Sequence, residues 1–144
     1  MALDFDGVDD KVEHLTANVL NSANTMSMLV WLFMDAVGEL STRLFVLPED
    51  STDLRWFLPS GTNTDMEFQY NFTGGGSADG VWRSPLSSLA IGRWFCLALT
   101  YDRSDVANDP LMYIWDTSTA KRLSSVTVTE TVTPIGTGAN PATG

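Results

Sequence analysis

Apolar and polar positions alternate along much of this chain with the period of two that marks β-strands. One run, Trp94 to Asp102, is free of glycine and proline and is bounded by Gly92 and by Arg103-Ser104-Asp105. Phe95, Leu97, Leu99 and Tyr101 share one face, which is large and wholly apolar. Trp94, Cys96, Ala98 and Thr100 share the other, which is smaller but hardly polar. The first face is predicted to line a core between two sheets, and the second places this strand inside its sheet rather than at an edge. Met26 to Met34 is apolar on both faces and predicts a second central strand. Asp65 to Phe72 alternates most cleanly, with Met66, Phe68, Tyr70 and Phe72 inward and Asp65, Glu67, Gln69 and Asn71 outward.

Shorter runs complete the pattern. They are Leu3 to Phe5, Val12 to Leu15, Arg43 to Leu47, Leu54 to Leu58, Val81-Trp82, Met112 to Trp115, and a Val/Thr alternation from Val126 to Thr133. Clusters of Asp, Asn, Gly and Ser between them supply turns. About ten strands at short spacing, with little helix, predict an all-β, antiparallel two-sheet β-sandwich. The domain is read over residues 1–134, with a Gly/Thr/Pro-rich tail or loop over 135–144. An immunoglobulin-like sandwich is the alternative, but the Cys…Trp…Cys spacing is missing.

Four segments carry a resemblance. Gly92-Arg93-Trp94-Phe95-Cys96-Leu97-Ala98-Leu99-Thr100-Tyr101-Asp102 is similar to a Gly-x-Trp-x-x-(apolar)-Ala-(apolar)-Thr-Tyr-Asp segment. Leu3-Asp4-Phe5-Asp6-Gly7-Val8-Asp9-Asp10-Lys11-Val12 is similar to an opening Leu-x-Phe-Asp-Gly-x-x-Asp-(aromatic)-Val hairpin. Met26 to Phe33 and Leu111 to Asp116 are similar to two further strands, in the same order. Together they resemble laminin-G-like domains of the concanavalin A-like lectin/glucanase superfamily, which implies a jelly-roll sandwich. Lys11 stands where that family has an aromatic, Cys96 where it has histidine, and no glycine follows Asp116. The family's closing Gly-x-Ile-Asp-Glu-(apolar)-Arg segment has no counterpart.

Composition narrows the function. Eighteen acidic against 8 basic residues give a formal charge of −10, with no basic stripe for nucleic acid or an anionic membrane. No apolar run has the length to span a bilayer. Met1-Ala2-Leu3-Asp4 leads directly into the first predicted strand, so synthesis without a signal peptide is expected. The single cysteine, Cys96, excludes an internal disulfide and reads as a packed thiol.

Candidate chemistry is sparse. Asp65 and Glu67 point to the same side of a strand, as a hydrolytic acid pair requires, but the glucanase Glu-x-Asp-x-x-Glu pattern is absent and a solvated face explains them. His14 is the sole histidine, so a nucleophilic triad lacks parts. Hard cations want several oxygens, and Asp102, Asp105, Asn108 and Asp109 offer them, as does Asp6 to Asp10. Some laminin-G-like domains hold calcium at a sheet rim, so Ca²⁺ is the one cofactor left open, against ordinary turn capping. Stacking on a sugar needs an exposed aromatic beside polar groups. Trp82 with Arg83 is the candidate ligand-binding pair, whereas Trp31 and Trp94 read as core.

The expectation is therefore a non-catalytic structural or adhesive module on the exterior of a virion or similar assembly, with host glycans as a further contact. Laminin-G-like modules are familiar in phage structural proteins. The alternative is a stand-alone carbohydrate-binding lectin module, calcium-assisted at most. The missing closing strands predict a protein partner or self-assembly along an open sheet edge, either Leu3–Phe5 or Val126–Val132.

Overall fold

The central strand of the sequence reading is central in three dimensions. β6 (Arg93–Asp102) lies between β1 (Thr25–Met34) and β7 (Leu111–Asp116), antiparallel to both, and β8 (Ser124–Val126) extends β7. A second sheet runs in the order β2 (Thr42–Leu47), β3 (Leu54–Leu58), β4 (Glu67–Asn71), β5 (Asp79–Arg83) and β9 (Thr129–Val132), again antiparallel throughout. The structure, a computed structural model, describes residues 23–34, 42–47, 54–59, 64–72, 79–119 and 121–136. All its regular elements are strands, and the protein is an all-β two-sheet sandwich.

The core lies between the sheets. Phe95, Leu97, Leu99 and Tyr101 of β6, with Met112 of β7, pack against Leu54, Trp56 and Leu58 of β3, Phe68 and Tyr70 of β4 and Trp82 of β5. Each buried side chain of this size contributes about 1.5–3 kcal/mol relative to exposure. The predicted inward faces of β6 and β4 are therefore the observed ones.

Two expectations change. The Val126–Thr133 alternation is not one strand. It divides into β8 and β9, which sit at the edges of different sheets among the described residues. Ten-residue β1 pairs with β6, and no second neighbour stands beside it among the described residues. The outward residues of β4 are not a solvated face either, since Asp65 is 0% and Glu67 3% exposed. Glu67 is ion-paired to Arg83 and accepts a hydrogen bond from Gln69, and Gln69 in turn accepts one from Arg55. Cross-strand register explains that polar ladder: Arg55 stands opposite Gln69, and Glu67 opposite Arg83. The Leu3–Phe5 strand, the Asp6–Asp10 loop and His14 lie outside the described residues.

The Asp102–Pro110 loop is pinned at both ends. Arg103 donates its backbone N–H to the Asn24 carbonyl at 2.8 Å and buries its side chain against Tyr70, donating Nη1–H to the Tyr70 hydroxyl at 3.2 Å. The guanidinium carbon lies 5.9 Å from the Tyr70 ring centroid, within cation–π reach. At the far end Asp109 accepts the indole N–H of Trp82 at 2.7 Å.

Candidate functional site

Trp82 does not offer its ring to a ligand. It is 0% exposed, stacked on Phe68 with centroids 5.9 Å apart and tilted against Tyr101. Alternation on β5 turns Trp82 into the sandwich, and Gly80, two residues earlier, leaves the space into which the indole folds back. The expectation of an exposed stacking ring at Trp82 is corrected on that ground. Arg83 faces the other way and is partly exposed, with its guanidinium engaged by Glu67.

The four oxygen-bearing loop residues are likewise placed by local bonding. Asp102 Oδ1 accepts the Ser104 N–H at 3.0 Å, and Asp105 Oδ1 accepts the Ala107 N–H at 2.9 Å. Asn108 donates its amide to the Asp102 carbonyl, and Asp109 holds Trp82. These are turn-capping roles, in which each side chain serves its own backbone or a neighbour. Among the described residues no three of His, Cys, Asp and Glu converge as a metal would need. The structure thus gives each candidate calcium residue a local bonding role. Asp102, Asn108 and Asp109 do share an open cleft of about 340 Å³ with Ser27, Thr100 and Leu111. A ligand bound only by the native state must raise its melting temperature. We expect millimolar Ca²⁺, and separately a chelator, to leave the melting temperature unmoved; a rise with calcium that the chelator reverses would restore the metal site.

The surface that the sequence did not single out is the outer face of the four-stranded sheet. Leu29, Trp31 and Phe33 of β1 are 60%, 51% and 44% exposed, and Trp94 of β6 is 43% exposed. Register sets these residues in rows: Leu29 beside Ala98 and Tyr113, Trp31 beside Cys96 and Trp115, Phe33 beside Trp94. The Trp31 and Trp115 rings meet edge to face across Cys96, 5.3 Å apart and inclined at 62°. Phe33 and Trp94 pair at 5.5 Å and 53°. Trp31 and Trp94, expected in the core, are thus on the outside. Their alternation was legible, but an apolar residue on a two-faced strand does not say which face meets water.

Cys96 points to this outer face yet is 3% exposed, because the flanking indoles cover it; burial raises its pKa. It is a packed thiol, as its sequence context predicted. Beyond the aromatic rows the sheet ends in a charged pair, Arg93 to Asp116 at 2.8 Å. The Ser118 hydroxyl bonded to Asp116 is the largest cause holding that carboxyl at about 2, with the Ser118 N–H and Arg93 assisting. Asp102 is shifted down as well, by its bonds to Ser104. A carboxyl depressed in the fold stabilises it above the unfolded-state value and loses that contribution as pH falls. Stability is therefore expected to drop from about pH 4 toward the Asp116 value of about 2. Urea midpoints across that range should show a shallower decline for Asp116→Asn; equal slopes would refute the assignment.

No family model, curated protein or solved structure matches this chain. No helix among the described residues is long and apolar enough to cross a membrane.

Proposed function

We propose that this protein is a non-catalytic structural or adhesive β-sandwich module, working on the exterior of a virion or similar assembly through the outer face of its four-stranded sheet. The aromatic rows of that face carry the reading. Trp, Tyr and Phe are the types enriched at protein interfaces, and a cluster of them without charge is what a docking surface requires. The ring geometry supports a protein contact over a sugar one. A pyranose stacks on an open, flat ring, whereas Trp31 and Trp115 are inclined at 62° and Phe33 and Trp94 at 53°. Inclined pairs leave notches that suit protein side chains better than sugar faces. The Val126–Val132 edge expected from sequence offers less contact than this face, since β8 has three residues and β9 four, and short edges pair weakly. The particle setting and the likeness to laminin-G-like domains rest on the sequence motifs.

The lectin reading keeps one observation of its own. The cleft of Ser27, Thr100, Asp102, Asn108 and Asp109 sets hydroxyl and carboxylate oxygens at one end of the aromatic face, where they could receive sugar hydroxyls. A glycan array and a polysaccharide-hydrolysis assay, run on the wild type and on Trp31→Ala, test the proposal. We expect no turnover, and no glycan signal that depends on Trp31. Hydrolysis lost on Glu67→Gln would overturn the non-catalytic reading, and a Trp31-dependent glycan signal would favour the lectin.

A further inference from the structure

We infer that the occupant of the aromatic face is a second copy of this chain, two sandwiches packing back to back through their four-stranded sheets. This rests on the docking role proposed above and commits it to one partner. Three observations converge.

The first is charge. The chain carries −10, so most of its surface repels a like molecule. The aromatic rows are neutral, with Leu29, Trp31 and Phe33 on β1, Trp94 and Ala98 on β6 and Trp115 on β7, and Asp102 stands on the same face only at its far end, opposite Thr25. Two copies can meet here without opposing like charges, and the Arg93–Asp116 pair that borders the face is itself neutralised.

The second is area. Strands β1 and β6 have ten residues each, which at about 3.3 Å per residue gives a face roughly 33 Å long. With strands spaced about 4.8 Å apart, its projected area is on the order of 500 Å². Two such faces bury roughly 1,000 Å² or more once side-chain relief is included, the lower bound for a specific interface.

The third is shape. Rings held at 62° and 53° form ridges and notches, and sheets packed face to face interlock by such relief. In a two-fold arrangement the same patch serves both partners, so every row is used twice.

Tryptophan supplies a built-in readout. Trp31, Trp94 and Trp115 lie on this face, while Trp56 and Trp82 are already buried at 1% and 0% exposure. Face-to-face association should therefore shift emission to the blue, and association along the β9 edge should leave it unchanged. The experiment is analytical ultracentrifugation of the whole chain up to roughly 100 μM, which populates a dimer of micromolar Kd, with emission spectra over the same range. We expect a dimer whose formation coincides with the blue shift. Trp94→Glu and, independently, Leu29→Glu should each weaken it at least about tenfold, because the two-fold axis introduces the charge twice. Both sites are exposed, and an unchanged circular dichroism spectrum and melting temperature would certify the fold. Val132→Glu, on the β9 edge, should leave the dimer intact. A monomer throughout, or a dimer sensitive to Val132→Glu and indifferent to both face variants, overturns the inference. If the monomeric chain still captures a glycan or a different protein in a Trp94-dependent way, the second copy is refuted while the docking role of the face survives.

Discussion

Trp82→Ala is expected to cost about 3–5 kcal/mol of unfolding free energy, the range for deleting a large buried aromatic. Its indole is 0% exposed and touches both sheets: it stacks on Phe68 of β4 and tilts against Tyr101 of β6. Truncation opens a void at the centre of the sandwich. It also removes the indole N–H from Asp109, but that carboxylate is at the surface and can turn to water, so packing dominates the loss. Gly80 makes the mechanism testable. A Cβ there would collide with Cη2 and Cζ3 of the Trp82 ring and stand 3.1 Å from Pro134 Cβ. Gly80→Ala in the wild type should therefore cost about 1–3 kcal/mol through overpacking. Introduced into Trp82→Ala, the same methyl enters vacated space, and its cost should fall close to zero or change sign. Urea unfolding of the four proteins in a double-mutant cycle measures the coupling. Additive losses would mean that the ring does not occupy the space above Gly80.

Much of this architecture was legible because strand period is a strong signal. The inward faces of β4 and β6 and the turn-forming Asp102–Pro110 loop follow directly from alternation and turn residues. What alternation cannot give is the identity of the neighbour across each face. Trp31 and Trp82 both sit on apolar strands, one half exposed and one fully buried, and only the sheet order separates them. The Val126–Thr133 run shows a second limit. A chain that passes from one sheet to the other keeps its alternation, so the crossover between β8 and β9 leaves no mark in the pattern. The outward acids of β4 show a third. Glu67 reads as a solvated residue until the register sets Arg83 opposite it. The aromatic face itself was hidden for the same reason as Trp31: a sheet face free of charge looks like core until nothing is found covering it among the described residues.

The assignment of faces on β6 supports every conclusion above, and one substitution tests it. Leu99 is 0% exposed, lies between Met28 of β1 and Met112 of β7 in register, and projects into the space filled from the opposite sheet. Leu99→Ala removes three carbons from a site walled by neighbours on two strands, where collapse is restricted. The expected loss is about 2–5 kcal/mol, made up of lost transfer free energy and the residual cavity. Thr129→Ala, on an exposed position of edge strand β9, should change stability by less than about 0.5 kcal/mol. The contrast matters more than either value, because the two faces of β6 make opposite predictions. If the strand were inverted, Leu99 would sit where Ala98 does and lose little, while Trp94, now 43% exposed, would take over the core role. A loss below about 0.5 kcal/mol at Leu99, with a large one for Trp94→Ala, would turn the sandwich inside out and remove the aromatic face from its surface.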